Sequence, residues 1–144
     1  MLSIWPEDIK QSVPESALSI LKKYGDELKT ITNFAADGIV NSQYNEYKDL
    51  FEVDFSISSR RFENYSVKIF SVSYNETLWP VKIQLEKEVK DEISTVAGIN
   101  ITKPANSESI IICKDKDEFM EKLRIIFNAK RVRFIVHAIM AQSK

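Results

Sequence analysis

FEVDFSISSRRFENYSVKIFSVSYNETLWPVKIQL, the stretch from Phe51 to Leu85, decides the fold class. Phe51, Val53, Phe55 and Ile57 alternate with Glu52, Asp54, Ser56 and Ser58, and Trp79, Val81, Ile83 and Leu85 alternate with Pro80, Lys82, Gln84 and Glu86. A period of two places apolar side chains on one face of a strand and polar ones on the other. Between these strands the period breaks: Val67 and Ile69 share one parity, and Phe70, Val72 and Tyr74 share the other. A β-bulge near Ile69 and Phe70 would return all five to one face. Unbroken pairing would instead mean a central strand covered on both sides. The polar outer faces of the neighbouring strands favour the bulge. Ser59 to Asn64 reads as a loop, and Asn75-Glu76-Thr77 closes a hairpin. Pro80 cannot donate to a ladder, so it belongs at a strand's start or along an unpaired edge.

A sheet with one apolar face needs helices to cover it, and the flanks supply them. Ahead of the sheet, Ser12 and Glu15 fit a capping box with Pro14 in the first turn. Ala17, Ile20, Leu21, Tyr24, Leu28 and Ile31 then form one stripe on a helix from about Pro14 to Thr32. Lys22, Lys23, Asp26, Glu27 and Lys29 fill its outer face, where Gly25 is a mild weakness. Leu2, Ile4 and Trp5 make an apolar arm, expected to dock on the domain or to pair as an edge strand. Asp37-Gly38 is a turn signal, and Ile39 to Tyr44 fits a first strand with a rather polar inner face. EKEVKDEI, from Glu86 to Ile93, fits either an outward continuation of the fourth strand or a single helical turn. Ser94 to Ser107 is loop-like. Ser109 to Cys113 reads as a fifth strand, and its three consecutive isoleucines predict an interior position.

Asp115 and Glu118 make a second capping box, followed by a stripe of Phe119, Leu123, Ile126 and Phe127. Asn128 is a break and a new cap. Val132, Ile135, Val136, Ile139 and Met140 continue with a shifted phase, hence two helices or a kinked one. The expected architecture is α+β: an N-terminal helix, a four- to five-stranded mainly antiparallel meander, and two C-terminal helices packed on one face of the sheet. Residues 1–144 read as one domain, with 1–10 as the apolar arm.

Composition narrows the chemistry. A net charge of −1 gives no whole-molecule reason to bind a polyanion. Three glycines leave no room for a Gly-rich phosphate loop, and neither dinucleotide nor P-loop spacing is present. One cysteine and one histidine exclude an internal disulfide, Cys-based zinc fingers and His-rich metal sites. The start lacks signal-peptide character, and no apolar run approaches the ~18–20 residues that span a bilayer. The expected address is the cytoplasm, without membrane attachment, which leaves the sequons at Asn64, Asn75 and Asn100 as chance occurrences.

Four residue groups bear on catalysis. His137 is the one histidine, the side-chain type suited to acid–base work, and has Arg133 one turn before it, but no carboxylate lies between Ala129 and Lys144 to orient it. Cys113 ends a strand ahead of a helix with Lys114 and Lys116 close by, a placement that can activate a thiol. The isoleucines before it favour burial. Glu52 and Asp54 stand side by side on a polar face without other supporting groups. Glu86, Glu88, Asp91 and Glu92 are interleaved with Lys87 and Lys90, as on a solvated face.

Two basic clusters remain. Arg60 and Arg61 sit in a loop with Phe62 and Tyr65 nearby. Lys130, Arg131 and Arg133 open the last helix, where positive charge opposes the macrodipole and invites an anionic partner. By elimination the expectation is a small cytoplasmic non-enzymatic protein-binding module of the immunity, antitoxin or adaptor kind, using neither cofactor nor metal. Its interface candidates are Arg60, Arg61, Phe62, Lys130, Arg131, Arg133 and His137, and its partner another protein. The alternative is a nucleic-acid-associated protein using 60–61 and 130–133. Third is a small hydrolase or thiol enzyme built on Cys113. A homodimer through an unpaired edge beside Pro80 and through the arm is compatible with either binding reading.

Overall fold

The computed structural model describes residues 4–10, 13–93 and 110–143. The chain forms α1 (Ala17–Ile31), β1 (Ala36–Asn45), β2 (Leu50–Ser59), β3 (Ser66–Tyr74), β4 (Val81–Leu85), α2 (Lys87–Ile93), β5 (Ile110–Cys113), α3 (Lys116–Phe127) and α4 (Lys130–Ala141). The strands make one antiparallel sheet in the order β1-β2-β3-β4-β5. This is the expected α+β meander. Helices α1, α3 and α4 cover the face carrying Val53, Phe55, Ile57, Phe70 and Val72, all buried.

The break in period on β3 is a bulge. Phe55 pairs with Phe70 and Ser56 with Lys68, so Ile69 is the extra residue between them. Both Ile69 and Phe70 are buried as a result. Phe55 and Phe70 stack nearly parallel, with centroids 5.3 Å apart, and Phe127 of α3 lies 5.4 Å and 6.0 Å from the two rings. This trio ties the centre of the sheet to α3. Burying one such ring contributes roughly 1.5–3 kcal/mol.

Local chemistry moves several boundaries. Helix α1 starts at Ala17 because Ser16 and Ser19 cap each other reciprocally, each backbone N–H donating to the other's hydroxyl at 3.2 Å. Ser12, the expected cap, lies outside the described residues. Asp37 and Gly38 are not a turn but part of β1, paired with Ser58 and Ile57. The reversal comes earlier, at Asn33 and Phe34, which hold φ of 56° and 67°. The Phe34 N–H donates to the Lys29 carbonyl at 2.8 Å. The Thr32 hydroxyl donates to the Leu28 carbonyl, and the Ala36 N–H donates to that hydroxyl. EKEVKDEI becomes helix α2, since Val89 and Ile93, four apart, both find the core.

Other expectations meet the structure with mixed outcomes. Among the described strands β5 is at the sheet edge, not its interior: Ile111 is buried, while Ile112 is 49 % exposed on the opposite face. Pro80 precedes β4, the strand's-start alternative, and β4 is paired on both sides, so no open edge lies beside it. Of the apolar arm, Leu2 lies outside the described residues, and Ile4 and Trp5 are 95 % and 67 % exposed, so neither side chain enters the core. Asn128 closes α3, its side chain donating to the Arg124 carbonyl, but α4 is entered through Ala129, which has no side chain able to cap. Met140 and Ile31 also stay outside the core, Ile31 overhanging a gap between α1 and α4.

Gly25 reverses its expected role. It continues the Ala17–Leu21 stripe at a four-residue step and is buried against Gly38 of β1. A Cβ on Gly25 would stand 2.5 Å from the Gly38 carbonyl oxygen, and one on Gly38 would meet the Gly25 Cα at 2.5 Å. Backbone meets backbone here, so relief requires moving the helix. Gly25→Ala should therefore lose stability, the overpacking penalty of up to about 3 kcal/mol exceeding the ~1 kcal/mol that alanine returns as helix propensity. Thermal denaturation should show a fall in Tm of several degrees; an equal or higher Tm would show that the helix does not rest on β1 at this point.

Candidate functional site: the groove between the first and last helices

The enzyme candidates occupy unreactive settings. Cys113 is fully buried, and burial pushes its thiol pKa up to about 12, with the nearby Glu118 carboxylate acting in the same direction. Lys114 and Lys116 do not activate it. Glu52 accepts from the Asn45 amide at 2.6 Å; Asp54 accepts from the Ser71 hydroxyl at 2.7 Å and pairs with Lys68 at 3.7 Å. These are cross-strand contacts on the outer face of the sheet. Among the described residues, no three His, Cys, Asp or Glu side chains are grouped to hold a metal. No helix among them is long and apolar enough to cross a membrane.

The electrostatic conflict at the start of α4 is met from within the chain. The Lys130 N–H donates to both carboxylate oxygens of Glu92 at 2.8 Å, and Arg131 Nε pairs with Glu88 at 2.7 Å. Helix α2 thus brings two acids to a helix N-terminus that lacks its own cap, where negative charge is stabilising. The acids read as a mixed-charge solvated face are the partners of the basic cluster, a match invisible until α2 is seen to lie beside α4.

Arg60 and Arg61 stand in the β2–β3 turn, with the Arg60 N–H donating to the Ala35 carbonyl and Arg61 lying 5.7 Å from the Phe62 ring. This turn packs beside the last residues of α4: Phe62 and Tyr65 share a cleft with Ala138, Ile139 and Gln142. Lys130 and Arg131 are at the other end of that twelve-residue helix, about 18 Å away at 1.5 Å per residue. The two basic clusters do not merge.

Arg133 and His137 have a different setting. They face α1 across a groove of about 270 Å³ whose floor is Phe55, Ile57 and Phe127 and whose α1 wall is Tyr24, Leu28 and Ile31. Tyr24 meets Phe127 edge-on at 6.2 Å. The lips carry charge of opposite sign, Glu27 on α1 and Arg133 with His137 on α4. Arg133 has no carboxylate partner among the described residues. Phe134, three residues before His137 on α4, is 66 % exposed, and Ile31 on the facing wall 68 %. The α1 contribution escaped sequence reasoning because Glu27 was assigned to the outer face and Ile31 to the core.

No protein-family model, no curated protein and no solved structure matches this chain.

The setting of Cys113 has a direct consequence. At pH 8 its thiolate fraction should be about one part in ten thousand. Labelling by a chromogenic disulfide reagent should be negligible in the native protein and immediate in denaturant. Rapid native labelling would mean that the edge strand opens or that the thiol is activated.

Proposed function

We propose that the chain is a small cytoplasmic, non-enzymatic binding module whose α1–α4 groove receives apolar side chains from a protein partner. One observation carries this reading: an aromatic-floored groove opens between two helices, and its α4 lip carries Arg133 and His137, with no carboxylate ion-paired to the arginine among the described residues. Apolar side chains would displace water from the floor, each buried CH₂ being worth roughly 0.8 kcal/mol. A carboxylate on the same segment would meet Arg133, where a charge-assisted bond is stronger than a neutral one. Arginine with aromatic neighbours is the composition of interface hot spots rather than of solvated surface. Arg61 and Phe62 beyond the end of α4 would extend the contact. Lys130 and Arg131 have acidic partners from α2, and the separation between the basic clusters weighs against a continuous track for a phosphate backbone.

The test is a photo-crosslinking amino acid at Ile31 of the full chain in its native host, with Lys82 on the outer face of the sheet as control position. The expected result is one adduct to a polypeptide from position 31, insensitive to nuclease and absent from position 82. Introducing Arg133→Glu together with His137→Glu should abolish it. Adducts of equal strength from both positions, adducts that survive the charge reversal, or adducts that nuclease removes would overturn the proposal, the last pointing to nucleic acid.

A further inference from the structure

At the end of the sheet away from that groove, three aromatic residues stand in one register row. Tyr44 of β1 pairs with Phe51 of β2, which pairs with Tyr74 of β3. Their rings follow one another at 5.3 Å and 5.7 Å. Phe51 shares the parity of Val53 and Phe55, so the row lies on the helix-covered face. Only its inner end is covered: Tyr74 is 5 % exposed beneath the start of α1, where its hydroxyl meets Ser16 and the Leu18 backbone. Phe51 and Tyr44, further out, are 38 % and 51 % exposed. They line an open cleft of about 340 Å³ with Asp49 and Glu76. The Tyr44 hydroxyl donates to Asp49, and neither Asp49 nor Glu76 is paired with a cation among the described residues.

Strand β1 is also the sheet's edge, with no strand on its free side among the described residues. Its ten residues contain no proline and no lysine, and Asp37 is the single charge. Edge strands usually carry such devices to prevent pairing. A strand added along β1 would place a side chain beside the Tyr44 ring, as the next member of the aromatic row.

We propose that the β1 edge docks an extended basic protein segment, which adds a strand to the sheet and lays one Arg or Lys side chain against Tyr44 and Phe51 between Asp49 and Glu76. Aromatic faces attract cations, and two unpaired carboxylates make the cleft acidic despite Lys48 in the adjoining turn. An apolar side chain would desolvate those carboxylates without compensation, and a phosphate would be repelled. Backbone pairing supplies affinity, and the cation sets register. The same acids push the Tyr44 hydroxyl pKa up, first through the Asp49 hydrogen bond, in keeping with a negative site.

The probe is the peptide acetyl-TVTRTVT-amide, titrated into isotopically labelled full-length protein and followed by NMR. Expected are shifts in β1 amides and in the Tyr44 and Phe51 rings, with a Kd at least tenfold lower than for the same peptide carrying Gln in place of Arg. The double variant Asp49→Asn, Glu76→Gln should erase that difference. Asn tolerates the left-handed φ of 54° at position 49, and an unchanged Tm verifies the fold. Equal affinity for the Arg and Gln peptides, or shifts that avoid β1, would overturn the proposal. So would spermine binding at the aromatic row with no peptide binding, which would make the cleft a site for small amines.

Discussion

Helix α1 can lie flat on the sheet because two glycines let its backbone touch that of β1. Gly25 and Gly38 remove the side chains that would otherwise hold the helix and the strand further apart. With the helix seated that low at the sheet's margin, its Tyr24–Leu28–Ile31 flank turns toward α4 rather than downward. The gap between the two helices is then floored by rings belonging to β2 and α3. The candidate site is a product of where α1 is clamped, and its lining comes from four elements in three separate stretches of sequence.

The opposite side of the helical layer is organised by charge. Helix α4 begins at Ala129, which has nothing to offer its first N–H groups, and follows with basic residues that the helix dipole disfavours. Glu88 and Glu92, one turn apart on α2, answer both deficits. A surface ion pair contributes little by itself, but here a carboxylate also takes the place of an absent cap. That leaves Arg133, one turn further along, as the cation of this helix that is turned toward α1.

Much of the fold was legible in the chain because, among the described residues, helices cover the strands on one side only. One-sided burial gives strict alternation on β2 and β4, and even the bulge on β3 announced itself as a change of parity at Ile69–Phe70. Legibility fails wherever the decisive partner is remote. Gly25 looked like a helix defect until Gly38 lay opposite it. The isoleucines of β5 looked interior, yet Ile112 is exposed on the uncovered face. Lys130 and Arg131 looked unneutralised until α2 adopted a helix instead of extending β4. The groove was half visible: Arg133 and His137 stood out by type, whereas Tyr24, Glu27 and Ile31 acquire meaning only once α4 is placed across from them. Phe51 followed the inward parity, and nothing in that parity says that the helical cover stops short of its row or that Tyr44 stands next to it.

The extra residue at Ile69 makes the length of β3 as much a constraint as its composition. Deleting Ile69 would restore a regular ladder in which Val67 and Phe70, then two apart, still share a face, at the loss of one buried side chain; deleting a residue between Phe70 and Tyr74 would instead turn inward side chains to the other face. An added residue there would do the same. The turns at Glu46–Asp49 and Arg60–Asn64, by contrast, lie at the surface and can change length without moving any inward-facing side chain. Length changes that the fold tolerates should therefore fall in those turns, where they would cost Asp49, Arg61 or Phe62 as contacts rather than the core, while the count of residues from Phe70 to Tyr74 is fixed by the ladder.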